Sequence, residues 1–285
     1  MKIAVTAASG KLGAAIVSAT ASLVGPDALV AVARTPSRAE GLGVEVRAGD
    51  YNRPDQLRRA FQGVDNVLLV SGMDPPDQRV GQHRNVIEAA KAAGVRKLVY
   101  TSVQGPPTDS GFSPIVQSNR QTEADVRASG LAWAIGRNGI YIEPDVEFRD
   151  TYVARGEIAN SAGEGKCGYT TRPELGAAYA HLLTDPLHDE KTYDLHGEPI
   201  TQETLAQLLG EAFGVSLSYR SMDVEAYRLE RVAELGDFLG AVIAGIYQGI
   251  RAGAYDRPSD YAAAVGRPHQ AWTDYFASLR ASLEQ

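Results

Sequence analysis

Short runs of aliphatic and β-branched residues alternate with longer amphipathic stretches through the first half of the chain, the pattern of a parallel sheet with helices on both faces. The spacing predicts strands over residues 2–6, 29–33, 44–48, 66–70, 97–101 and 131–136. After the first of these, Leu12, Ala15, Ile16, Ala19 and Leu23 recur on one helical face and predict a helix over 12–23. A second helix is predicted over 77–93, stopping before Gly94, a residue suited to the left-handed position after a helix. Pro54 and Asp55 open a third, and a further one is expected over about 119–128.

Beyond Arg137 the alternation loosens. A helix over 172–183 and a strand over 192–196 are followed by Thr201, a residue type that caps helices. Helices are predicted over 224–233, 238–251 and 270–283. Repeats, low-complexity tracts and long linkers are absent from the sequence. The expectation is an α/β protein: a Rossmann-type doubly wound parallel sheet over residues 1–140, completed by returning segments, with a smaller C-terminal α/β substrate lobe over 141–285.

The first strand leads into Thr6-Ala7-Ala8-Ser9-Gly10-Lys11-Leu12-Gly13 and then directly into a helix. Small residues let the backbone pass close to a pyrophosphate, and the helix N-terminus offers free N–H groups and the positive dipole end. Gly10 is expected nearest the pyrophosphate, and Gly13 to allow helix and strand to pack closely. Ala7 occupies the first glycine slot of the G-x-x-G-x-x-G spacing, so the turn must either accept a methyl group or have shifted. The competing reading is a plain strand-to-helix loop. At the end of the second strand stands Arg34, where NAD-binding chains carry an acidic residue. A guanidinium there, with Arg38 nearby, points to the 2′-phosphate of NADP(H) rather than to NAD. Asp50 and Tyr51 follow the third strand, where an adenine would lie. Ser71, Gly72 and Met73 follow the fourth, beside the nicotinamide-side ribose.

Charge and composition narrow the partners. The 28 Lys and Arg against 35 Asp and Glu leave a net charge of −7, and no basic run could neutralise successive phosphates. Nucleic acid and membrane are therefore not expected as partners. A lone cysteine, Cys167, excludes an intramolecular disulfide. With no apolar span and no signal-like N-terminus, the expected location is cytoplasmic. His181, His188, His196 and His269 lack the spacing of a helical zinc site, so no metal is expected.

Taken together, several stretches resemble the NmrA-like branch of the atypical short-chain dehydrogenase/reductases, with the greatest similarity to the group of bacterial NADPH-dependent quinone oxidoreductase 2 and triphenylmethane reductase. They are Ile3 to Gly13, Gly49-Asp50-Tyr51-Asn52-Arg53-Pro54, Gln82-His83-Arg84-Asn85-Val86-Ile87, Ala92-Ala93-Gly94-Val95, Tyr100-Thr101-Ser102 and Arg137-Asn138-Gly139. The resemblance implies that Ala7 to Leu12 (Ala7, Ala8, Ser9, Gly10, Lys11, Leu12) and Arg34 hold the NADP phosphates. It further implies that Ser71 to Met73 and Asn138 to Glu143, including Gly139, Ile140 and Tyr141, surround the nicotinamide. Tyr141 would touch the acceptor as the one catalytic candidate, the alternative being a core or rim tyrosine. Gln82 and His83 would face cofactor and substrate, although a satisfied buried histidine is the commoner role for His83. Thr171 would line the acceptor pocket or simply cap the helix that follows. A homodimer is a family-level expectation only.

The usual catalytic pair of short-chain dehydrogenases is missing. None of the 13 tyrosines has a lysine four residues later, and the expected helix over 119–128 contains no lysine. Reduction of an electrophilic quinone or dye does not require that pair, because the cofactor carries the hydride and orientation lowers the barrier. The expected function is NADPH-dependent reduction of quinone-like or other flat conjugated small-molecule acceptors. Two alternatives stay open: a non-catalytic NADP(H)-binding redox sensor, and a pathway-specific reductase or epimerase of a small metabolite.

Overall fold

Every residue of β1 (Ile3–Val5) is buried, and this short strand lies inside a seven-stranded sheet. A computed structural model describes residues 1–283; the last two residues of the lobe expected over 141–285 lie outside the described residues. After β1 come α1 (Lys11–Val24), β2 (Leu29–Ala33), β3 (Glu45–Ala48), α2 (Pro54–Ala60), β4 (Asn66–Val70), α3 (Pro76–Ala92), β5 (Lys97–Val103), α4 (Ser113–Arg127) and β6 (Ala132–Asn138). The chain then forms β7 (Ile140–Tyr141), α5 (Glu143–Glu147), α6 (Arg149–Arg155), β8 (Glu157–Asn160), β9 (Lys166–Cys167), β10 (Tyr169–Thr170), α7 (Arg172–Thr184) and β11 (Lys191–Leu195). It ends with β12 (Ile200–Thr201), α8 (Gln202–Phe213), β13 (Ser218–Ser221), α9 (Val224–Leu235), α10 (Asp237–Arg251), α11 (Tyr261–Val265) and α12 (Trp272–Leu283).

The large sheet runs in the order β11-β6-β5-β4-β1-β2-β3, and all its pairings are parallel. Strand order reverses between β1 and β4, the switch point where ligands of doubly wound sheets bind. Because both faces are covered, the central strands read as unbroken aliphatic runs such as Leu29 to Ala33. Alternate residues then feed two cores. Ile3, Val5, Leu68 and Val99 pack with Ile16, Leu175 and Leu182 of α1 and α7. Ala4, Val30, Leu69 and Tyr100 pack with Leu57, Val86 and Val126 of α2, α3 and α4.

The lobe has its own core, in which Ile142, Ile158, Tyr169, Leu209, Tyr255 and Trp272 meet. Around it stand three two-stranded pairs: β7 with β10, β9 with β12 and β8 with β13. The chain nevertheless returns to the main sheet. α7 packs on α1 and β11 lies in register beside β6, with Lys191 opposite Ala134.

Of the boundaries that differ from expectation, two have a clear physical reason. The helix expected over 119–128 begins at Ser113, because Pro114 fills its first turn and Ile115 and Val116 are already buried. The strand expected over 131–136 continues to Asn138, held by its pairing with Val103. The two-residue strands of the lobe are too short to produce any periodic signal.

Beneath the C-terminal ends of β5 and β6 lies a buried carboxylate, Glu123. It accepts from Arg137 at 2.9 and 2.7 Å, from Arg120 at 2.7 Å, from Arg127 at 3.0 Å and from the Ser102 hydroxyl at 2.7 Å. Burial alone would raise its pKa, but the Arg137 hydrogen bonds, the Arg120 charge and the Ser102 hydroxyl outweigh it and hold the carboxyl down at about 2. A folded-state pKa below the ordinary 4.5 means that this stabilisation is complete above pH 4.5 and is lost as pH falls toward 2. Replacing Glu123 with Gln leaves three guanidinium groups without their shared anion and should cost about 3 kcal/mol at pH 7. Urea titrations should show the gap between wild type and variant narrowing below pH 4.5. A pH-independent gap would refute the assigned role.

Candidate cofactor and acceptor site

The turn between β1 and α1 is held by its own backbone. Ala8 N–H donates to Val32 O at 3.1 Å and Gly10 N–H to Ala7 O at 3.0 Å. Ala7 has φ +47, so the turn accepts the methyl group by taking a left-handed conformation that costs an L-residue about 1 kcal/mol. A Cβ on Gly13 would lie 2.4 Å from Ala7 O and 2.9 Å from Ala8 Cα, which is why the helix can start so close to the strand. α1 has neither a side-chain cap nor an acidic residue in its first turn. Its leading N–H groups and positive dipole end therefore face the turn unopposed. These features fit a dinucleotide diphosphate: a close backbone, uncapped donors and no competing carboxylate in the helix.

Side chains at the sheet edge lock this cradle in place. Thr6 Oγ1 donates to Leu68 O at 2.8 Å and accepts from Val70 N–H at 3.0 Å. The Tyr51 hydroxyl joins it, 2.5 Å from Thr6 Oγ1 and 2.8 Å from Val70 O. Burial raises the Tyr51 phenol pKa, so this is a neutral post between β1 and β4, and any adenine contact falls to its ring. Asp50 accepts from Asn52 N–H at 2.9 Å and shapes the loop after β3. Arg34 directly follows β2, two residues beyond the Val32 carbonyl that holds Ala8. Like Arg38, it is exposed.

The loop after β4 is organised by the interior. Ser71 N–H donates to Thr101 Oγ1 at 2.8 Å, and the Ser71 hydroxyl lies 3.2 Å from Asn119 Oδ1. The Gly72 N–H donates to His83 Nε2 at 3.0 Å, so that nitrogen carries no proton and Nδ1–H donates to Thr122 Oγ1 at 2.9 Å. Burial, aided by the Arg79 charge, pushes the His83 pKa down to about 3. A neutral, fully enclosed imidazole holds the Gly72 backbone and exchanges no proton near neutral pH. Gln82 is tied to Asp74 and to Asn52. Both residues stand behind the 71–74 loop, whereas Met73 projects into solvent, 89% exposed.

On the other side of the sheet edge Asn138 is buried. Its Oδ1 accepts from the Tyr179 hydroxyl at 2.5 Å, and its Nδ2 donates to the Tyr141 oxygen at 3.2 Å. Tyr141 is half-buried, with the Arg172 guanidinium 5.6 Å from the centre of its ring. Burial raises its phenol pKa despite the Asn138 hydrogen bond and the Arg172 charge. Tyr141 is thus a neutral donor, without the lysine that activates the short-chain dehydrogenase tyrosine; α4 contains none. Thr171 caps α7 by accepting from Glu174 N–H at 3.2 Å, so its oxygen already has structural work.

Some contacts of expected residues, and three further side chains, were not anticipated. Lys11 pairs with Glu147 of α5 at 2.6 Å, and Glu143 accepts from Arg172 N–H at 2.7 Å, which draws α5 over the start of α1. Glu143 Oε2 is buried without a partner. Tyr179, Asn119 and Glu123 act across long stretches of sequence and carried no local signal.

Sheet order and phosphate cradle define a dinucleotide-binding protein of the Rossmann class. The chain belongs to the NAD(P)H-binding family, whose match spans residues 7–186. It is 34% identical over 224 residues to quinone oxidoreductase 2 of Escherichia coli, covering 77% of each chain. The crystal structure of the E. coli NADPH-dependent quinone oxidoreductase complexed with NADPH superposes with a TM-score of 0.88 at 30% identity, over 97% of this chain and 99% of that one. The Citrobacter triphenylmethane reductase matches over 100% of both chains, with a TM-score of 0.89 and 31% identity.

The close approach at Gly13 yields a direct test. Gly13→Ala places a methyl group on backbone atoms and should cost about 2 kcal/mol of stability, together with a large loss of NADPH affinity. Gly10→Ala, whose Cβ would lie 3.3 Å from Ala7 O, should be the milder change in both respects. Thermal unfolding and a fluorescence titration read the two effects; equal tolerance of both substitutions would refute the packing argument.

Proposed function

We propose that the protein is an NADPH-dependent oxidoreductase that reduces quinone-like or other flat conjugated small molecules. The observation that carries the cofactor choice is Arg34, an exposed guanidinium directly after β2 with no ion pair or hydrogen bond among the described residues. A 2′-phosphate is the anion that suits a bidentate guanidinium at this edge. Ala7 to Leu12 take the diphosphate, and the 71–73 and 138–141 segments border the nicotinamide. A reduced nicotinamide supplies the hydride.

The acceptor class follows from what the site lacks. Tyr141 is a weak, neutral acid, His83 is committed to Gly72, and α4 has no lysine. A carbonyl that needs strong acid assistance is poorly served by such a site. A quinone accepts hydride readily and takes its second hydrogen as a proton from water, giving hydroquinone and NADP⁺. The chain's part is to hold a flat acceptor against the cofactor and to exclude other orientations. The relatives reduce quinones and triphenylmethane dyes according to their names, which supports the same acceptor class here. No helix among the described residues is long and apolar enough to cross a membrane, and we place the reaction in the cytoplasm.

The test pairs cofactor choice with turnover. Arg34→Ala should weaken NADPH binding by about 1.5 to 3 kcal/mol, the value of hydrogen bonds to a charged group, and leave NADH binding nearly as it was. Oxidation of NADPH by a naphthoquinone should accompany tight NADPH binding in the wild type. Equal losses for both cofactors would remove Arg34 from the 2′-phosphate site; cofactor binding without turnover on any quinone would overturn the reductase reading.

A further inference from the structure

Three of the described lysines and arginines are buried, and two of them have a carboxylate partner. Lys97 pairs with Asp189 at 2.6 Å, and Arg231 pairs with Glu230 and Glu234, both at 2.7 Å. The third, Arg79 near the start of α3, is 4% exposed and has no ion pair among the described residues; its one hydrogen bond runs from Nε to Asp74 O at 3.1 Å. Its two terminal nitrogens carry no hydrogen bond among the described residues, and neither is enclosed, so the little surface that Arg79 shows includes its tip. The Asp74 carboxylate is bonded to Gln82 instead. Burial pulls the Arg79 pKa down, but a guanidinium stays charged near neutral pH. Buried charges are otherwise paired, so an unpaired guanidinium with an open tip calls for an anionic partner from outside the chain.

The fold directs this tip to the edge of the sheet. Side chains on a helix lean toward its N-terminus, and α3 begins where the loop after β4 ends, so Arg79 leans toward that loop, as its bond to Asp74 O shows. His83 lies one turn further along the same face and fastens the other end of the loop through Gly72 N–H. The Arg79 charge acts on His83 and on Tyr100 of β5. The Tyr100 hydroxyl donates to Asn119 Oδ1 at 2.6 Å, the same oxygen that the Ser71 hydroxyl approaches at 3.2 Å. Arg79 thus stands at the C-terminal ends of β4 and β5, against the loop that borders the nicotinamide in the reading above.

Building on the reductase reading above, we infer that Arg79 is a catalytic residue whose guanidinium receives the acceptor oxygen that becomes negatively charged as hydride arrives. In that reaction the quinone gains a hydride at one oxygen as a C–H bond of the reduced nicotinamide breaks, and the electron pair leaves the opposite oxygen as a phenolate. NADPH becomes NADP⁺, and water then protonates the phenolate to give the hydroquinone. Arg79 transfers no proton. Its fixed charge, held in a water-poor setting, stabilises the developing phenolate, a part that the weak acid Tyr141 does not fill. The small opening at its tip suits a single ring oxygen.

The experiment measures turnover of 2,3-dichloro-, unsubstituted and 2,3-dimethyl-1,4-naphthoquinone by wild type, Arg79→Gln and Arg79→Lys, with NADPH affinity by fluorescence as the check on fold and cofactor site. Arg79→Gln should lower kcat for the unsubstituted quinone about a hundredfold while NADPH affinity holds. The loss should be greatest for the dimethyl compound and least for the dichloro compound, whose ring carries negative charge more readily. Arg79→Lys keeps the charge and should recover most of the rate. Should the variants fail to fold, the wild type still decides the matter: at saturating NADPH, thiocyanate should compete with the quinone for the open guanidinium. Equal losses for all three quinones together with weakened NADPH binding would confine Arg79 to holding the loop and overturn the inference, as would the absence of anion competition in the wild type; either result leaves the reductase reading standing. NADPH binding with no turnover of any quinone by the wild type would instead strike the reductase reading itself, and this inference with it.

Discussion

The site depends on how closely the start of α1 approaches the end of β1. Ala7 O stands where any side chain on Gly13 would have to go, so strand, turn and helix form a single unit whose spacing is set by backbone atoms. Ala7 takes up the resulting strain in a left-handed conformation. The unopposed N–H groups of α1 then lie beside the switch point of the sheet. Arg34 is fixed relative to this cradle through the bond from Ala8 to Val32, so in the proposed reading phosphate binding and cofactor choice rest on the same turn.

The remainder of the site is arranged by neutral hydrogen bonds rather than by activated acids. His83, Tyr51 and Tyr141 all titrate in the direction that keeps them uncharged near neutral pH. The charged cluster around Glu123 lies beneath the strand ends and acts on stability, fastening α4 to β5 and β6. Such a site orients its ligands and leaves the chemistry to an electrophilic acceptor and a hydride-bearing cofactor. This division matches the absence of a Tyr-x-x-x-Lys pair.

What the sequence made legible was local. The β1 to α1 unit spans consecutive residues, and the position of Arg34 follows from the end of β2, so periodicity and a short motif were enough to find them. The same holds for Thr201, whose hydroxyl accepts from Thr204 N–H at 3.1 Å as a helix cap. Contacts made only by the completed fold left no such trace. Glu123 meets Ser102 and Arg137 across intervening elements, and Pro106 and Tyr255 both close on Gly249 only because α10 folds back over the β5 loop. Near the start of α4, Pro114 was a readable signal for the earlier boundary. The lobe was the least legible part, since its two-residue strands and shared core have no period of their own.

The most direct test of the account is a parallel titration of the purified protein with NADPH and NADH, followed by nicotinamide fluorescence. The account predicts saturable binding of both, with NADPH clearly the tighter. Equal affinity would contradict the role of Arg34, and no saturable binding of either cofactor would contradict the cradle on which every later step depends.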